Sequence, residues 1–86
     1  MKKVKMFSLS TCGHCQATKR LLDECDVPYE FKDVDLLDFS EREQVVEDLK
    51  QINPRCTFPT LLIGDRVIIG FKEKDIREAL GLGHGY

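Results

Sequence analysis

Two cysteines separated by two residues stand near the start of the chain, in the run Cys12-Gly13-His14-Cys15. Thiols at this spacing can close a small disulfide, so the pair can accept and return two electrons. The run lies where a short apolar stretch gives way to a helical pattern. That would put the first thiol at a helix start and the second in its first turn. The partial positive charge of a helix N-terminus favours thiolate over thiol, and thiolate is the attacking species. A Cys-x-x-Cys can also be half of a zinc knuckle, but such a site needs a second pair. The other two cysteines, Cys25 and Cys56, are far apart and do not form one. Cys25 reads as a small core residue. Cys56, three residues before Pro59, reads either as an oxidisable thiol at the rim of the site or as a bystander.

The elements that must position this pair follow from hydrophobic period and punctuation. Residues 4–9 (VKMFSL) are β-prone and make a first strand. Ser10 and Thr11 are cap-type residues ahead of a helix whose buried face is Cys15, Thr18, Leu21, Leu22 and Cys25, at i, i+3, i+4 spacing. Lys19, Arg20, Asp23 and Glu24 would face water, and Val27-Pro28 would end the helix. Residues 29–34 alternate like a half-buried strand, with Tyr29, Phe31 and later Phe39 as packing residues. Ser40 and Glu43 form a capping-box pair for a second helix with Val45, Val46, Leu49 and Ile52 on its apolar face, stopped by Asn53-Pro54. Residues 60–63 and 66–69 make a hairpin around Gly64-Asp65. Residues 75–80 read as a last helix with Gly81 as its stop.

A chain of 86 residues supports one domain, here residues 1–81, with a frayed tail at 82–86 that includes His84. With 33% charged residues and a net charge of −2, acidic and basic groups interleave. No basic stripe points to nucleic acid. No apolar run is long enough for a bilayer, and the stretch after Met1-Lys2-Lys3 is broken by Lys5 and Ser8, unlike a secretory signal. A cytoplasmic location is expected, where four cysteines need not form a disulfide framework.

The order βαβαββα demands a right-handed parallel crossover followed by an antiparallel hairpin, hence an α/β fold with a four-stranded mixed sheet flanked by helices. With the dithiol after the first strand, this resembles the thioredoxin fold in its minimal glutaredoxin form, over nearly the whole chain. Thr57-Phe58-Pro59-Thr60 resembles the family's segment ending in a cis-proline, and Ile69-Gly70-Phe71 falls where glutaredoxins usually carry paired glycines. The resemblance implies a thiol–disulfide oxidoreductase, with Cys12 as nucleophile and Cys15 as resolving thiol. Phe58 would lend its backbone to an extended peptide or to glutathione, and Phe71 would belong to the partner surface.

The Gly13-His14 pair resembles that of protein disulfide isomerase, which implies a potential above about −270 mV, the thioredoxin value. His14 is either a tuning group or an exposed residue with no partner. The resemblance implies no bound cofactor and no metal. Disulfide-containing proteins are the implied substrates, a monomer the implied state, and glutathione or a thioredoxin-reductase-type enzyme the electron donor. Leu9 stands where many glutaredoxins place a lysine, Phe71 replaces the second glycine, and Lys74 falls about where an acidic residue would hold glutathione. These departures weigh against tight glutathione recognition. Gln16-Ala17-Thr18-Lys19-Arg20 and Gly70-Phe71-Lys72 are similar to NrdH-type redoxins, the electron donors of ribonucleotide reductase. An Fe–S cluster held between two chains by Cys12 is the alternative reading.

Overall fold

The computed structural model describes residues 3–81. Its elements run β1 (Val4–Ser8), α1 (Gly13–Glu24), β2 (Glu30–Asp33), a 3₁₀ turn (Val34–Leu36), α2 (Phe39–Ile52), β3 (Thr60–Ile63), β4 (Arg66–Ile69) and α3 (Glu73–Ala79). The sheet order is β2-β1-β3-β4. β1 and β2 are parallel, whereas β1–β3 and β3–β4 are antiparallel. This is the minimal thioredoxin-like fold that the element order implied. The anticipated tail, 82–86, lies outside the described residues. Among those described, no helix is long and apolar enough to cross a membrane.

Strand alternation sorts the two faces of the sheet. Val4 and Met6 of β1, Leu61 and Ile63 of β3 and Ile68 of β4 share one cluster with Leu21 and Leu22 of α1 and Ile76 and Ala79 of α3. Leu22, Leu61 and Ile76 are each fully buried, and burial of such a side chain contributes about 1.5–3 kcal/mol. Lys5, Phe7 and Leu62 have the opposite parity and face α2 across a groove of about 530 Å³. On that side Val45 and Leu49 are buried.

Register gathers one end of the sheet. Ser8 pairs with Asp33, Phe7 with Thr60 and Thr60 with Ile69. The segments leaving β1, entering β3 and leaving β4 therefore meet there: the dithiol, Pro59 and Gly70.

Several local expectations are corrected. α1 is capped by Cys12 itself and not by Ser10 or Thr11. Its stop comes at Asp26, before the proline. Asp26 takes φ +55°, and the Val27 N–H donates to the Leu22 carbonyl while that of Asp26 donates to Asp23, a Schellman closure made without glycine. The cap of α2 is Asp38, whose carboxylate accepts from the Glu41 N–H at 2.9 Å. Asp caps as well as Ser, so the helix starts earlier than the Ser40–Glu43 pair. α3 likewise starts at Glu73, ahead of residue 75.

Phe31 and Phe39 are 47% and 73% exposed, not packed inside. Phe31 is on the edge strand β2, and Phe39 begins α2 well round the helix from Val45 and Leu49. Cys25 is only half-buried, at the C-cap of α1. Lys19 does not face water; its side chain is 14% exposed and paired with Asp33.

Candidate active site

The dithiol is built on a helix cap. Cys12 holds extended backbone angles, φ −88° and ψ 119°, and its Sγ accepts the N–H of Cys15 at 3.2 Å. The first N–H groups of any helix lack intrahelical partners. Here one of them points at a sulfur, and a charged sulfur accepts such a bond more strongly than a neutral one. Cys12 is half-buried while Cys15 is fully buried. Gly13 and His14 between them are exposed. The two thiols therefore differ in access: Cys12 is partly open to solvent and Cys15 is closed off from it.

Burial pushes the Cys15 thiol up to about 12, and the hydrogen bond and charge of Cys12 push the same way. The backbone of Leu9 and the charge of Lys19 oppose this rise.

The turn leading into Cys12 is clasped from the 3₁₀ turn that follows β2. Asp35 accepts the Ser10 N–H at 2.9 Å and the Ser10 hydroxyl at 2.5 Å. These two bonds hold its carboxyl below the usual carboxylate value. The Gln16 side-chain amide donates to the Ser10 carbonyl at 3.2 Å, and the Cys12 N–H donates to Leu9.

Across from the dithiol, Phe58-Pro59 is a cis peptide. Its loop hangs on Asn53, which is 1% exposed. The Asn53 amide nitrogen donates to the hydroxyls of Thr57 at 3.0 Å and Thr60 at 2.9 Å, and its Oδ1 accepts the Arg55 N–H at 3.2 Å. The Thr60 hydroxyl donates to the Thr57 carbonyl at 2.7 Å. From β4, the Gly70 N–H donates to the Pro59 carbonyl at 2.8 Å. Gly70 does so at φ +91°, a region open to glycine and costly for other residues. Thr57 is exposed and Phe58 half-buried, so part of this loop is open to solvent at the dithiol's end of the sheet. Phe71 is also half-buried, its inner side packed on the core cluster.

Cys12, Gly13, His14, Cys15, Thr57, Phe58, Pro59, Gly70 and Phe71 thus converge on one end of the sheet. None of them lines the groove under α2. Among the described residues, no group of three His, Cys, Asp or Glu side chains is placed to share a metal ion.

Residues 4–68 match the family model of glutaredoxin. The chain belongs to the glutaredoxin family. It is similar to the glutaredoxin from Methanosarcina mazei Go1, at 47% identity and a TM-score of 0.86 over 93% of this chain and 79% of that one. It also resembles Methanosarcina acetivorans methanoredoxin, at 44% identity and a TM-score of 0.89 over 93% and 85% of the two chains. The Archaeoglobus fulgidus glutaredoxin is 32% identical, with a TM-score of 0.86 over 93% and 87%. No curated protein sequence matches the chain. Glutaredoxins are thiol–disulfide oxidoreductases, and this chain is one of them.

Some supports of this glutaredoxin site were not apparent from sequence. In the sequence Asn53 marks only a helix stop, although Thr57 and Thr60 downstream are the hydroxyls that a buried amide would need. Asp35 and Ser10 are 25 residues apart. Nothing in either neighbourhood marks them as partners.

Proposed function

We propose that this glutaredoxin reduces disulfides of protein substrates through Cys12 and Cys15, drawing electrons from a thioredoxin-reductase-type enzyme in preference to glutathione. The observation that carries the order of attack is the contrast in access: Cys12 is half-buried at the cap and Cys15 fully buried behind it. The Cys12 thiolate attacks one sulfur of the substrate disulfide. That S–S bond breaks, a Cys12–substrate disulfide forms, and the departing sulfur takes a proton from solvent. Cys15 then loses its proton and attacks the Cys12 sulfur. The second substrate thiolate leaves, and the Cys12–Cys15 disulfide carries away the oxidation. Two electrons have passed from the dithiol to the substrate. Thr57, Phe58 and Pro59, with Gly70 and Phe71 beside them, would receive the substrate as an extended segment.

The preference for a reductase rests on Leu9 and Phe71. Leu9 offers an apolar side chain where a cation would hold a glutathione carboxylate, and Phe71 fills the place of a second glycine. The reading includes a reducing, cytoplasmic setting, which one close dithiol and two scattered cysteines support. A donor comparison tests it: the oxidised protein is mixed with glutathione plus glutathione reductase, or with thioredoxin reductase, and NADPH loss is followed with insulin as substrate. Turnover with thioredoxin reductase and little with glutathione is expected. The reverse would make glutathione the donor.

A further inference from the structure

Cys15 and Lys19 are one turn apart on α1, the spacing that stacks side chains on one face of a helix. Lys19 is not free to swing into water. Its Nζ is 3.1 Å from Asp33 Oδ1 and 4.0 Å from the centroid of the Phe31 ring. Asp33 is itself held, because the fully buried Ser8 donates its hydroxyl to the same Oδ1 at 2.5 Å. The side chains of Lys19 and Asp33 are 14% and 15% exposed. An ion pair withdrawn from water to this degree has given up much of its hydration, so its net contribution to stability is small. Stability alone therefore does not account for the pair, and a group that such a cation would serve lies one turn away on the same helix. Cys15 is sealed from solvent and must become an anion to act. The polar groups that act on its thiol are those of Cys12, the Leu9 backbone and the Lys19 charge. Lys19 is the one cation in that set.

We propose that Lys19 and Asp33 together set the reactivity of the resolving thiol: the anchored Lys19 ammonium stabilises the Cys15 thiolate as it attacks Cys12, and Asp33 holds that ammonium in place while partly cancelling its charge. Lys19 and Asp33 are positioning residues in this scheme, acting through Cys15. The inference rests on Cys15 being the resolving thiol.

The two halves of the pair then have opposite signs, which a tether between α1 and β2 would not. The test uses an aromatic disulfide whose halves leave as coloured thiolates. Cys12 releases the first half as it forms a mixed disulfide. Cys15, its proton gone to solvent, releases the second half as the Cys12–Cys15 bond forms. Stopped-flow absorbance at neutral pH resolves the two bursts.

Lys19→Met is expected to slow the second burst about tenfold, the effect of a one-unit change in thiol acidity, with the first burst within about twofold of the parent rate. Lys19→Arg should restore the second burst. Asp33→Asn, which keeps an acceptor for Lys19 and Ser8 but removes the opposing charge, should quicken it. A second burst unchanged in Lys19→Met would overturn the proposal. So would both bursts slowing together, or Lys19→Met and Asp33→Asn slowing the second burst alike. Cys15→Ser serves as the separate control: a second burst surviving there would mean that the resolving role itself is misassigned.

Discussion

The backbone N–H of Cys15 donates to the sulfur of Cys12 at 3.2 Å, so one thiol caps the helix turn that buries the other. Cys12 is presented and bonded; Cys15 is enclosed. This division of labour has a pH signature. Burial pushes Cys15 up to about 12, so its thiolate fraction rises about tenfold per pH unit across the neutral range. If Cys15 resolves a mixed disulfide as proposed, that step is expected to quicken about tenfold per unit from pH 6 to pH 9, with no plateau. Single-turnover resolution of a mixed disulfide on Cys12 measures it. A plateau near neutrality would mean that Cys15 is not the enclosed thiol described.

The same shift has a consequence for stability. The folded value lies above the ordinary 9.0 of a thiol, so the fold favours the protonated form. Below pH 9 both folded and unfolded chains carry the proton and nothing changes. Between pH 9 and pH 12 the unfolded chain ionises first, and reduced protein is expected to lose up to about 1.4 kcal/mol per unit. Denaturant titration of wild type against Cys15→Ala in alkaline buffers checks this. The mutant should lack that part of the pH slope.

Gly13 occupies the first position of α1, with nothing within 4 Å of where a Cβ would stand. Cys12 before it is extended, as a residue preceding proline must be. Proline is favoured at this position because the N–H it lacks has no intrahelical partner. Gly13→Pro is therefore expected to stabilise the protein by about 0.4–1 kcal/mol, or a few degrees in Tm. Thermal unfolding of the reduced protein is the check, and a fall in Tm would show that this helix start is not the one described.

The cis-proline loop is supported from two sides, by Asn53 beneath it and by the Gly70 N–H from β4. Asn53→Ala leaves the Thr57 and Thr60 hydroxyls without their buried partner, at a cost of about 1–3 kcal/mol. Gly70→Ala forces a side chain onto φ +91°, at a cost of about 1–3 kcal/mol. Both should also lower disulfide-reductase activity more than a core truncation of equal ΔΔG, because the loop they hold lies at the dithiol's end of the sheet and is proposed to receive the substrate. Parallel unfolding and activity curves for these variants and for Ile68→Val make the comparison.

The order of elements, the dithiol and the Phe58-Pro59 segment were legible in the sequence, because each is a local pattern with a local cause. Hydrophobic period and stop signals together located the three helices, and Gly64 turned the hairpin at φ +62°. The polar clamps were not legible. Ser10–Asp35, Ser8–Asp33 and Lys19–Asp33 exist only because β2 lies parallel to β1 and brings distant residues level. Lys19 departs from the expected solvated face for that reason: the strand that covers it is contributed by a later segment. The cap at Cys12 has no sequence signature for a different cause. A thiol took the place that hydroxyls and carboxylates usually fill.

Trapping tests the central claim most directly. Cys12→Ser and Cys15→Ser are each incubated with a protein disulfide substrate, quenched with acid and resolved by intact-mass spectrometry. Cys15→Ser is expected to accumulate a covalent adduct at Cys12 that reductant releases, while Cys12→Ser accumulates none. An adduct on Cys15 in the Cys12→Ser protein, or no adduct in either variant, would contradict the assignment of Cys12 as the attacking thiol and Cys15 as the one that resolves.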